Sequence, residues 1–141
     1  MANVIPYAFR GELFTGTHNF ASGGDSFKLA LYTANPYNTS STVYSATSEV
    51  SASGTNYTTT GNALTGNAVA YGTAVASCDF ADTEWTTATF TAAFGAIYND
   101  DQSDKLCVVL DFSGDKTATN GTFKITFPSP STPADAIISM A

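Results

Sequence analysis

The second half of the chain consists of short apolar segments separated by turn-forming residues, and this pattern constrains the fold more than any other feature. From residue 64 onward, β-branched and aromatic residues are grouped between clusters of Gly, Pro, Asn, Asp and Ser. One earlier segment, 26–33, alternates Phe27, Leu29 and Leu31 with less apolar neighbours, which indicates a half-buried strand. The spacing predicts strands at 26–33, 65–71, 74–80, 86–92, 93–99, 105–112, 121–127 and 136–140.

About eight strands at intervals of roughly 8–12 residues predict an all-β fold, namely a β-sandwich of the jelly-roll or immunoglobulin-like kind. The length of 141 residues suits a single domain. Residues 1–16 are expected to form a short helix or arm, with Pro6 at its first position and Gly16 at its end. Residues 17–141 then form the sandwich domain, which includes a long polar loop region near 34–63. A loop of that length in a small domain usually has a function or covers other residues.

Residues 113–121 are rich in Gly, Asp, Asn and Thr, and they are predicted to be the turn of a hairpin. The D-x-S-x-D spacing at 111–115 resembles the start of a calcium-binding loop. However, the sixth position of that loop requires Gly and is Lys116 here, and the twelfth requires Glu and is Thr122. We therefore favour the hairpin turn and predict no metal site.

One group of carboxylates lies close together in the sequence and could perform acid–base chemistry on a glycosidic bond. The alternative, which we favour, is a strand end followed by a tight turn, because nothing in the pattern brings these groups into one cleft. The residues concerned are Asp79, Asp82 and Glu84.

The histidine and cysteine residues are too few to define a catalytic centre or a zinc site. His18 is the only histidine, and no G-x-S-x-G nucleophile motif is present. Cys78 and Cys107 lie in predicted strands without a C-x-x-C spacing, so we expect small buried side chains, with a disulfide or a reactive thiol as the alternative. The chain is predicted not to be an enzyme and to need no cofactor.

The charge balance indicates the kind of partner the chain avoids. Its net charge is −7, and its five basic residues are scattered, which argues against nucleic acid. Only 12% of the residues are charged, about half of the usual share, so the surface is suited to packing against proteins. No segment reaches the roughly 18 apolar residues of a membrane span, and the N-terminus lacks the apolar core of a signal peptide. We expect synthesis in the cytoplasm and no membrane partner.

Two groups of residues are candidates for contact with other proteins. An apolar terminal segment must bury its face on its own sheet or on a neighbouring subunit, and loop tyrosines provide rigid contact surface for sugars or proteins. The alternative for the tyrosines is ordinary packing at an edge of the fold. The candidates are Pro6, Tyr7, Phe9, Leu13, Phe14, Tyr37, Tyr44 and Tyr57.

Three segments, 18–34, 78–100 and 108–128, resemble a family of small structural proteins from the virion gene clusters of tailed bacteriophages. The resemblance implies a non-enzymatic part of a virus particle, assembled in the host cytoplasm and located in the virion. Its most direct form is a capsid decoration, or cement, protein that binds the major capsid protein and forms a homotrimer. An alternative is a tail or fibre-associated protein that binds a receptor or glycan, with Tyr37, Tyr44 and Tyr57 as a sugar platform. A hydrolase using the carboxylates near Trp85 ranks last.

Overall fold

The computed structural model describes residues 3–128 and 136–140, which form one short α-helix and seven strands. The helix α1 spans Tyr7–Phe14. The strands are β1 (Phe27–Tyr32), β2 (Asn62–Ala63), β3 (Ala68–Tyr71), β4 (Ala76–Asp79), β5 (Thr83–Asn99), β6 (Lys105–Ile125) and β7 (Ile138–Met140). A single 3-10 turn at Asp100–Gln102 connects β5 to β6. The predicted fold class, all-β with a short N-terminal helix, is confirmed.

The strands form two antiparallel sheets that share one core. The larger sheet has the order β2-β1-β5-β6, and the smaller has the order β3-β4-β7. Side chains from both sheets meet in the main hydrophobic cluster, for example Phe27 and Leu29 from β1, Cys78 from β4 and Ile138 from β7. Helix α1 contributes Phe9 to the same cluster, so the helix packs on the sandwich core. The alternation predicted in the sequence therefore sets which faces meet.

The second face of the larger sheet is also buried, which corrects the prediction of a half-buried β1. Ala30 and Tyr32 lie in a separate cluster with Tyr37 and Tyr98. The cover is the chain between β1 and β2, which contains turns and isolated bridges rather than helix or long strands. This segment supplies aromatic side chains to a face that the alternation alone assigns to solvent.

The two longest strands each replace a pair of predicted strands. The predicted strands 86–92 and 93–99 are one continuous strand, β5, because no turn residue interrupts them and Gly95 stays in the ladder opposite Leu110. The predicted hairpin turn at 113–121 is wrong, since this segment lies within β6 and pairs with β5.

Residues 113–121, whose composition is typical of a turn, form bulges in β6. The register shifts between the pair Ala92/Lys116 and the pair Phe94/Asp111, so β6 has extra residues opposite β5. The left-handed conformations of Ser113 (φ 57°) and Gly114 (φ 111°) lie in this extra stretch. Residues that tolerate a positive φ serve a bulge as well as a turn, which explains the mistaken prediction.

One glycine is required where the covering loop returns to the larger sheet. Gly61 has a φ of +84°, and a Cβ atom at this position would overlap the carbonyl oxygen of Leu29. The loop backbone can approach β1 this closely only because residue 61 has no side chain.

Candidate functional site

The structure separates the N-terminal candidate residues into a buried and an exposed set. Pro6 and Phe9 are buried within the chain, and Leu13 is partly buried against the core. Tyr7 is 61% exposed and Phe14 is 92% exposed. Tyr7 and Phe14 are therefore mostly accessible to another molecule, and Leu13 is accessible in part.

The loop tyrosines bind groups of their own chain. Tyr37 and Tyr57 are buried, and Tyr44 is partly buried. The carboxylate of Glu49 accepts hydrogen bonds from Tyr44 Oη at 2.6 Å and from Tyr57 Oη at 2.7 Å. Glu49 also accepts from the backbone N–H of Thr60 at 2.8 Å. Sequence reasoning missed Glu49, whose carboxylate fastens the covering loop at three points.

Burial of this tyrosine cluster changes its titration. Burial raises the pKa of Tyr32, and the hydrogen bond with Tyr37 raises it further. Burial also raises the pKa of Tyr57, and the negative charge of Glu49 acts in the same direction. The pKa of Tyr98 is raised mainly by burial as well. These phenols are therefore held in their neutral form in the folded protein.

A chain of polar side chains fixes helix α1 to the larger sheet. Glu12 accepts hydrogen bonds from Lys105 Nζ at 2.5 Å and from His18 Nε2 at 2.8 Å. Asn99 Nδ2 donates to His18 Nδ1 at 2.9 Å and to the Asp25 carboxylate at 2.8 Å. Because Nδ1 of His18 accepts, its proton lies on Nε2. Burial raises the pKa of Glu12, but the hydrogen bonds from Lys105 and His18 outweigh this effect and hold it below its ordinary value.

The face of the smaller sheet that packs on the core continues past the edge of the core. Directly paired residues share a face, so Tyr71, Ala76 and Met140 form one row and Val69, Cys78 and Ile138 form the next. In the inner row Cys78 and Ile138 are buried, whereas in the outer row Tyr71 is 82% exposed and Met140 is 58% exposed. The outer row is thus a continuation of a core-facing surface that nothing in the described chain covers.

The end of helix α1 borders this uncovered surface. Leu13 and Met140 both line two neighbouring grooves. One groove, of about 110 Å³, also contacts Val69 and the buried Cys78. The other, of about 200 Å³, also contacts Phe14 and Arg10. We name the surface formed by Leu13, Phe14, Val69, Tyr71 and Met140 the apolar shelf.

Sequence reasoning found part of the apolar shelf, Leu13 and Phe14, and missed the rest. The alternation in 65–71 places Val69 and Tyr71 on one face, and that was an available signal. It could not show that this face continues past the core, because the extent of the cover depends on where helix α1 ends.

A second groove system lies along β6 and has a mixed lining. Its volume is about 600 Å³, within the range of small-molecule sites. It is lined by Phe112 and Phe123, by the hydroxyls of Thr117 and Thr122, and by Lys116. Aromatic edges, hydroxyls and a cation are groups that bind polar ligands such as sugars.

Among the carboxylates and thiols considered in the sequence, Asp82 is paired, Glu84 is exposed, and the two thiols are buried. Asp82 pairs with Lys124 at 3.0 Å and accepts from the backbone N–H of Phe127. The Lys124 hydrogen bond is the main reason why the pKa of Asp82 is lowered. Both cysteines are free buried thiols. Burial raises the pKa of Cys78 to about 12 and that of Cys107 well above its ordinary value, so neither is a thiolate at neutral pH.

Across 3–128 and 136–140, no group of three or more His, Cys, Asp or Glu side chains is arranged to hold a metal ion. In the same part of the chain, no helix has the length and apolar character needed to cross a membrane.

Comparison with protein-family models, with curated proteins and with solved structures finds no match to this chain.

Proposed function

We propose that this chain is a non-enzymatic structural protein of a tailed-bacteriophage virion, and specifically a decoration protein that binds the major capsid protein and stabilises the shell. The observation that carries the proposal is the apolar shelf. Aromatic side chains have areas of about 150–250 Å² each. Given their exposed fractions, Phe14 and Tyr71 alone present roughly 300 Å² of mostly apolar surface.

The size and aromatic character of the apolar shelf support a protein partner. The largest exposed apolar patch on a typical monomer is about 300–600 Å² and is often functional, and the shelf reaches that range. A standard protein interface buries about 800 Å² on each partner, so the shelf can provide its apolar centre with a polar rim around it. Phe14 and Tyr71 belong to the residue types that contribute most to such centres.

The shelf is also held in place before any partner arrives. The hydrogen bonds of Glu12 to Lys105 and His18 fix the helix that carries Phe14. Tyr71 on β3 and Met140 on β7 are held by the pairing of their strands with the two edges of β4. A preorganised surface loses less conformational entropy on binding. Many copies bound weakly to one shell would add their effects through multivalency, and a homotrimer would let each unit connect three neighbours.

The proposal is tested with shells assembled without this protein. We expect the purified chain to bind such shells and to raise their heat resistance, and we expect Phe14→Ser and Tyr71→Ser to weaken both effects. Val43→Ser is the matched control, because Val43 is an exposed apolar residue on the loop that covers the opposite face of the larger sheet. Shells that neither bind the chain nor gain stability would contradict the proposal.

The β6 groove favours a second candidate function, a tail or fibre-associated protein that binds a glycan. A glycan array is the direct assay, with Lys116→Ala and Thr122→Val as variants in the groove. Binding that depends on these residues, together with cross-linking to tail proteins rather than to the capsid, would favour this candidate over the first.

A further inference from the structure

Arg10 is a cation at the edge of the apolar shelf without a carboxylate partner within the described residues. Its guanidinium lies 4.9 Å from the centre of the Tyr7 ring and makes one long hydrogen bond, 3.4 Å, to the carbonyl of Ile5. Its side chain lines the same 200 Å³ groove as Phe14 and Met140. The stacking on Tyr7 orients the guanidinium while leaving most of its five N–H donors available.

Most other cations of the chain are already paired, which distinguishes Arg10. Lys28 pairs with Asp100 at 2.9 Å, Lys124 pairs with Asp82 at 3.0 Å, and Lys105 pairs with Glu12. The whole chain has 12 acidic and only 5 basic residues. In a protein with such an excess of carboxylates, an arginine beside an apolar groove is available for a carboxylate from another molecule.

We propose that the partner segment docked on the apolar shelf presents an acidic side chain next to a bulky apolar one. The inference rests on the proposed function and specifies the chemistry of the partner at that same surface. The apolar side chain would fill the groove between Leu13, Phe14 and Met140, and the carboxylate would accept from the Arg10 guanidinium. Arginine suits this role because its planar fork matches both oxygens of a carboxylate.

Apolar surface around the ion pair between Arg10 and the partner's carboxylate would strengthen that pair. The groove beside Arg10 has apolar walls, and a docked apolar side chain would displace the water from it. A single exposed pair would contribute little, so the apolar contact and the ion pair depend on each other. Binding is therefore expected to depend on both salt concentration and the shelf residues.

The experiment measures binding to shells assembled without this protein, for the wild type, Arg10→Met, Arg10→Lys and Phe14→Ser, each at low and high salt. Arg10→Met keeps most of the apolar stem and removes the charge. We expect it to weaken binding at low salt about tenfold or more, the effect of losing a hydrogen bond to a charged group. Arg10→Lys is expected to retain part of the affinity, and Arg10→Met to lose the salt dependence of the wild type. Unfolding of each variant in urea shows that the fold is retained.

Three results would overturn the inference, and they separate it from the proposed function. If Arg10→Met binds like the wild type at every salt concentration while Phe14→Ser is weakened, the carboxylate is absent and the shelf still docks on the shell. If the wild type sediments as an oligomer that Phe14→Ser dissociates, the shelf is covered by a second copy of this chain. If no form binds the shells, the proposed function itself fails.

Discussion

The buried tyrosine cluster predicts an unusually steep loss of stability at alkaline pH. The pKa values of Tyr32, Tyr57 and Tyr98 are raised by burial, whereas an unfolded tyrosine titrates near pH 10. A group whose pKa is higher in the folded state retains its proton there, so its contribution is complete below about pH 10 and is lost as the pH rises further.

The size of this loss of stability follows from the difference between the folded and unfolded pKa values of the tyrosines. At about pH 11, ionisation lowers the free energy of each unfolded tyrosine by about 1.4 kcal/mol, which gives about 4 kcal/mol for three buried phenols. Partial access of solvent reduces the sum to about 3 kcal/mol. That is a large part of the roughly 5–15 kcal/mol by which a domain is stable.

The assay is urea unfolding at neutral pH and at several values between about pH 9 and 11, with tyrosinate absorbance measured in parallel. Tyr57→Phe removes one buried phenol and should reduce the slope of the free energy of unfolding by up to about 1.4 kcal/mol per pH unit. Tyr71→Phe is the matched control, because this side chain is exposed and lies outside the cluster. The buried thiols act in the same direction, so the comparison between variants tests the tyrosines. Tyrosinate forming near pH 10 for all tyrosines, with the fold unchanged, would refute the reasoning.

Three further predictions concern stability at neutral pH, measured as free energies of unfolding in urea. Glu49→Gln should destabilise the protein by about 1–3 kcal/mol, since two phenols and the Thr60 N–H lose a charged acceptor; an unchanged free energy would show that the loop is held by packing alone. Gly61→Ala should cost more than about 2 kcal/mol, because its positive φ and the contact with Leu29 both oppose a Cβ; Gly54→Ala, where φ is positive but the space is open, should cost clearly less, and equal costs would contradict the role of the contact. Phe14→Ser should change the free energy by no more than about 0.5 kcal/mol, and a larger loss would mean that Phe14 serves the fold rather than a partner.

The alternation of side chains carried most of the information about the fold. Phe27, Leu29 and Leu31 face the main core as their period of two requires. Helix α1 forms within the predicted segment, although Pro6 is its N-cap and the helix begins one residue later, at Tyr7. Local patterns succeed where one face of an element is buried against one neighbour. They failed for β1 because its second face is covered by a loop whose sequence resembles any exposed polar segment.

The strand boundaries and the candidate site depended on contacts between distant residues. Ser113 and Gly114 have the composition of a turn, and only the pairing with β5 makes them a bulge. Likewise, Arg10 looks like any surface cation in the sequence. The role proposed for it rests on the distant Met140, which lines the same groove, and on the pairing of Lys28, Lys105 and Lys124 with carboxylates.

The bulges of β6 have a consequence for crowding. β6 is the outermost strand of the larger sheet, and within the described residues Val4 bridges it at Val109 and Val43 bridges it at Lys105. A long, straight outer strand would invite the same strand of a neighbouring molecule to join it, and the sheets would grow into aggregates. The kinked backbone around Ser113, Gly114 and Asn120 breaks the regular order of donors and acceptors that such growth needs. We therefore expect many molecules to pack closely at high local concentration without pairing of their β6 strands.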